Sequence, residues 1–155
     1  MRKLSATAAF SLVEVTLALG IAAFCLIAVI GIIPVGVQTN RNAKSQTAAT
    51  NIMAAVVSDL RATPTAGNNP SPQFAITFGT CKNLYLDSQG QVVASSDCNT
   101  SITPPATARY KLNVTWSDSG STALRYADLK VTWPAAATAA NASGSTEMFA
   151  AFDRN

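Results

Sequence analysis

From Val15 to Val37 the chain runs 23 residues without a charge. As a helix such a run spans about 34 Å, enough to cross the hydrocarbon core of a bilayer. Nothing else in the 155 residues constrains the fold as strongly. The spacing predicts a spanning helix from Phe10 to Val37, and the simplest reading of it is a single-pass membrane anchor. A secretory signal peptide has a shorter apolar core.

Glu14 does not fit a plain anchor. It is the one charge between Phe10 and Val37. A carboxylate near the mouth of a spanning helix is costly unless it finds a partner. The residues before it suggest one. Met1 to Ala9 carry Arg2 and Lys3 and no acid. A cut between Ala9 and Phe10 would create an amine at Phe10 and make Glu14 the fifth residue. Positions one and five share a helix face, so amine and carboxylate can neutralise each other, within one subunit or between neighbours.

A short basic leader, a small residue at Ala9 and then Phe10-Ser11-Leu12-Val13-Glu14-Val15 opening a long apolar helix resemble the type IV pilin and pseudopilin family. The motif covers about a fifth of the chain. A narrower resemblance is to the pilin-like Verru-Chthon cassette B proteins. It rests on SLVEVTLALGIAAF, on IIPVG at residues 32–36 and on QTAATNI at residues 46–52. The family resemblance implies cleavage at Ala9–Phe10 by a prepilin peptidase, N-methylation of Phe10, and assembly through the apolar helix with Glu14 as the docking carboxylate. The implied partners are other pilin-like subunits in a homo- or hetero-filament, an inner-membrane assembly platform and membrane lipid. The family usually has Gly before the cut, where this chain has Ala9. Arg2 and Lys3 on one side of the span balance Arg41 and Lys44 on the other, so the positive-inside count is a tie. The resemblance breaks it: leader in the cytoplasm, C-terminal domain in the periplasm or outside.

Within the span, Gly31 and Pro34 mark the expected kink. Proline lacks a donor and clashes one turn back. In the family a proline here accompanies a bent or partly melted stretch. Gly20 and Gly31 are not at GxxxG spacing. Residues 38–62 continue as an amphipathic helix: Ala48, Ile52, Val56 and Leu60 recur every four residues, flanked by Ala49, Met53 and Ala55. The helix ends before Pro64, because the residue preceding proline avoids the helical region. Thr63 to Pro72 holds three prolines and reads as a loop.

The remainder, within residues 63–155, reads as β. Phe74, Ile76 and Phe78 alternate as a first strand. Leu84 and Leu86 turn through Asp87-Ser88-Gln89-Gly90 into Val92 and Val93, a hairpin. Ser95 to Thr107 reads as a loop. Tyr110, Leu112, Val114 and Trp116 form one side of a second hairpin, with Leu129, Val131 and Trp133 opposite. Ala135 to Ser145 reads as a loop. A short last strand uses either Met148, Ala150 and Phe152 or Phe149 and Ala151. The expected fold is α+β: a long N-terminal helix packed by its outer half on a small antiparallel sheet of about four to six strands.

Composition excludes much. There is no histidine, so the commonest general base and metal ligand is missing. No GxSxG, phosphate-binding glycine loop or CxxC is present. We expect no catalytic residue, no metal and no cofactor. Asp118 and Asp128 read as solvated, and Asp87, Asp97 and Asp118 do not make a dense calcium-type oxygen cluster. Charged residues are 12% of the chain; removing Arg2 and Lys3 lowers the net charge from +3 to +1, so no nucleic-acid partner is expected. Trp116 and Trp133 fall among apolar neighbours and read as core rather than as a glycan platform. Cys25 reads as a small buried hydrophobe. Cys81 and Cys98 are expected to form a disulfide, given an oxidising compartment outside the membrane. The rivals to a filament subunit are a membrane-tethered β-domain binding module that does not polymerise and, less supported, an enzyme.

Overall fold

The structure, a computed structural model, describes residues 11–64, 69–118, 124–138 and 140–153. The leader, Ala9 and Phe10 lie outside these residues, as do residues 119–123 between the two strands of the second hairpin. The chain divides into two compact units, the first ending at Arg41 and the second starting at Asn42.

One helix, α1, runs Leu12–Ala62. It then closes with Thr63, whose amide donates to Leu60 O and whose hydroxyl donates to Asp59 O. Five strands follow: β1 Lys82–Leu86, β2 Val92–Asp97, β3 Tyr110–Asp118, β4 Leu124–Trp133 and β5 Gly144–Asp153. They form one antiparallel sheet in the order β2-β1-β3-β4-β5. This is the expected α+β architecture: a long N-terminal helix whose later half packs on a small antiparallel sheet.

In the second unit, the helix buries Ala49, Ile52, Met53, Val56 and Leu60. Ala48 and Ala55 pack at the edge of this stripe. The sheet answers with Leu84, Leu86, Leu112, Val114, Leu129 and Val131, all fully buried. These positions alternate along each strand and so share one face; on the other face of β1, Asn83 and Tyr85 are buried as well. Leu84 pairs with Leu112, and Leu112 with Val131, which aligns one apolar row across three strands.

Three strand readings change. Phe74 and Ile76 do enter the core, but residues 74–78 form no strand. Ser71 instead closes a loop: its amide donates to Ile76 O at 2.9 Å, and its hydroxyl accepts from Ile76 N at 3.2 Å. Ala75 adopts φ 49°, a left-handed conformation outside the extended region of a regular strand. Alternate burial had the appearance of a strand without its pairing. Second, β2 extends to Asp97, so the loop begins at Cys98 rather than Ser95. Third, β5 is longer than expected and starts at Gly144. It turns Met148, Ala150 and Phe152 inward, leaving Phe149 75% exposed. A Cβ at Gly144 would run into the Trp133 ring, so glycine there lets the indole cover the strand.

Both tryptophans pack as core residues. Trp133 is buried, with Tyr110 edge-on at 6.5 Å. Trp116 lies 5.0 Å from Phe78 and 6.0 Å from Phe152, and its indole N–H donates to Thr80 O. Cys81 and Cys98 are joined, with Cα atoms 5.6 Å apart. They flank the Lys82–Asp97 pair that ends the β1–β2 ladder, so the disulfide closes the open end of that hairpin.

Candidate assembly surface

The first unit is an apolar helix whose described residues are exposed. None of the apolar span is buried within the chain. Leu12 is 80% exposed, Phe24 75% and Ile27 71%. Exposed large apolar residues recur at 12, 13, 15, 17, 19 and 21, and onward to 37. Such spacing leaves no polar side. A helix that is apolar all round belongs in lipid or among other helices, because water would leave every face uncovered. It is therefore a candidate membrane span by length and composition. Cys25 is exposed on this surface rather than buried within the chain.

Glu14 lies in the first turn of α1. Its amide donates to Ser11 O at 3.0 Å, and Val15 N reaches the same carbonyl at 3.2 Å. Ser11 thus starts the helix, and Thr16 returns its hydroxyl to Val13 O. The Glu14 carboxylate is exposed and lies near the positive end of the helix dipole, a favourable place for an anion. Phe10, its expected partner, is outside the described residues.

Gly31 and Pro34 both lie inside α1. The helix continues through Pro34, although proline supplies no N–H to the carbonyl one turn earlier. One turn later Thr39 donates its hydroxyl to Val35 O at 2.9 Å. No break accompanies the expected kink position.

The second unit contains a functional-looking carboxylate that sequence reasoning missed. Asp59 is buried near the end of α1. Its carboxylate accepts from Gln73 N, at 3.1 and 3.2 Å to its two oxygens, and from Phe74 N at 3.0 Å. It ties the loop after the helix back onto the helix. The available signal was its place: an acid near a helix C-terminus opposes the dipole and needs another reason to be there.

Asp128 also departs from the solvated reading. It is half-buried on β4, and its Oδ1 is buried without a hydrogen-bond partner. Burial, then the neighbouring Glu147, raise its pKa above the usual carboxylate value, while Lys130 lowers it. Lys130 pairs with Glu147 at 3.3 Å across β4 and β5. Among the described residues no three or more of His, Cys, Asp and Glu come together as a metal site. Asp87 instead spends its Oδ1 on its own turn, accepting from Gln89 N and Gln91 N.

No protein-family model, curated protein or solved structure matches this chain.

Proposed function

We propose that this chain is a structural, non-enzymatic subunit of a type IV pilus or a secretion-type pseudopilus. In this reading a prepilin peptidase cuts between Ala9 and Phe10, the new amine is methylated, and the apolar helix packs among those of neighbouring subunits in the filament. The C-terminal unit faces the periplasm or the outside of the inner membrane. The narrower likeness to Verru-Chthon cassette B proteins adds a multi-gene setting with no further activity.

One observation carries the reading: a helix apolar on all sides and exposed among the described residues, with a single carboxylate in its first turn. Lipid alone accounts for the apolar faces. It does not account for the acid. Inside a bundle of helices an unpaired carboxylate costs several kcal/mol, which a neighbouring amine at Phe10 offsets. The tether alternative draws on the second unit, which has its own core and disulfide.

Glu14→Ala separates the two. The variant is scored for its N-terminus by intact mass, and for sheared filament or cross-linked oligomer. Assembly predicts a mature start at Phe10 with filament strongly reduced, although the anchor has become more apolar. A tether predicts equal or better membrane retention and no oligomer in either form. Filament yield equal to wild type, with correct processing, would remove Glu14 from the mechanism.

A further inference from the structure

A cleft of about 320 Å³ opens on the second unit, where α1, the loop after it and the tip of the β1–β2 hairpin meet. Its rim carries Asn51 from the helix, Gln73 from the loop, and Ser88, Gln89 and Gln91 from the hairpin. Its floor is apolar, formed by Ala48, Ile52, Ala55 and Phe74. None of the lining residues is charged. Four carboxamides and a hydroxyl therefore converge over a hydrocarbon floor, in a chain whose surface elsewhere carries lysines and carboxylates.

The rim is held in place by groups that spend themselves on backbone. Asp59 fixes the amides of Gln73 and Phe74 on one side. Asp87 fixes those of Gln89 and Gln91 on the other, both at 2.9 Å. Gly90 takes φ 79° in that turn, and a Cβ there would sit 3.4 Å from the Ile52 side chain. The turn is thus seated against the helix, while the disulfide closes the far end of the same hairpin. The Gln89 side chain accepts from the Ser88 hydroxyl. Among the described residues the side-chain carboxamides of Asn51, Gln73 and Gln91 make no hydrogen bond within the chain, which leaves them for a ligand.

We infer that this cleft binds a neutral saccharide. A carboxamide offers a donor and an acceptor together, which is what a sugar hydroxyl requires. The apolar floor suits the C–H face of a sugar ring. The absence of charge disfavours phosphorylated or acidic ligands, which would be desolvated without compensation. The volume is at the lower end of the roughly 300–1,000 Å³ typical of small-molecule sites, a fit for one or two rings. An extended peptide is the poorer occupant. It would bind through main-chain hydrogen bonds, and the backbone donors of Gln73, Phe74, Gln89 and Gln91 are already engaged. Phe74 is buried, so no exposed ring stacks on the sugar and binding is weak. The inference does not depend on filament assembly.

The test uses the full chain in amine-oxide micelles, because sugar-headed detergents would compete. Saturation-transfer NMR titrations are run with lactose, maltose, chitobiose and trialanine. At least one disaccharide should give transfer. The double variant Gln73→Met, Gln91→Met should weaken that binding about tenfold, as expected for the loss of two neutral hydrogen bonds. Asn51→Leu, at an exposed helix position that cannot unfold the core, should weaken it as well, while Lys111→Gln leaves it unchanged. No transfer to any disaccharide would overturn the proposal. So would binding that survives both amide variants, or transfer to trialanine alone.

Discussion

Asp59 ties the loop after α1 back onto the helix, and its removal has a calculable cost. Asp59→Ala deletes the acceptor for two backbone donors, Gln73 N and Phe74 N. Hydrogen bonds to a charged acceptor contribute about 1.5–3 kcal/mol each. Phe74 is buried, so its amide would be left unsatisfied; Gln73 is exposed, so water replaces part of its loss. The sum is about 3 kcal/mol. For a unit of this size that lowers the melting temperature by about 12 °C. Asp59→Asn keeps one carbonyl oxygen but no charge, and should fall about midway. The assay is thermal unfolding of the full chain in micelles, followed by near-ultraviolet circular dichroism of Trp116 and Trp133. Hydrogen exchange on a peptide covering residues 69–78 adds a local readout. Protection there should drop before the sheet melts. An Asp59→Ala melting point within about 2 °C of wild type, with unchanged exchange, would refute the reasoning.

Breaking the Cys81–Cys98 bond, by Cys→Ser at both positions, should destabilise the second unit by about 3 kcal/mol, given its sequence separation of 17; peptide mapping without reductant checks the pairing and chemical denaturation the magnitude. Asp128→Asn should raise stability at neutral pH and leave it unchanged in strong acid. Its folded pKa is raised, so ionisation opposes folding above that pKa, and the penalty disappears as pH falls through the ordinary carboxylate range. Melting curves of the two proteins across pH should converge at the acid end, and convergence at neutral pH instead would assign the raised value no role in stability.

The legible parts of the fold were those with one consistent period. The helix stripe around Ile52, Val56 and Leu60 and the paired rows of β3 and β4 each offer one apolar face, so there was one way to bury them. β5 was ambiguous because both of its faces are apolar along residues 148–152; the indole over Gly144 and the aromatic group of Phe78, Trp116 and Phe152 decide it, and these are contacts between distant residues. Residues 74–78 misled for the opposite reason. Their alternation is real, but the sheet has no place for them, and local bonds from Ser71 hold the loop instead. The amide-rimmed cleft was invisible for a related reason. Asn51, Gln73 and Gln91 are unremarkable polar residues in sequence, and only the folding of helix, loop and hairpin brings them together.

The role of Glu14 turns on which solvent its carboxylate meets. Near the positive end of the helix dipole a carboxylate gains about 0.3–1 kcal/mol. If the end of the helix sits where water reaches it, that gain suffices and Glu14 is an ordinary first-turn acid on a tether. Within packed helices water is scarce, the cost of an unpaired carboxylate is several kcal/mol, and the dipole does not cover it. A charged partner is then obligatory, and in the proposed filament it is the amine that cleavage before Phe10 would release. The chain keeps one acid at the head of 23 uncharged residues. For a tether that acid is dispensable; for a filament it is the one contact that distinguishes a correctly seated subunit from an apolar helix at any other depth. Glu14→Gln, which keeps shape and removes charge, therefore leaves a tether unaffected and lets a filament subunit slip in register.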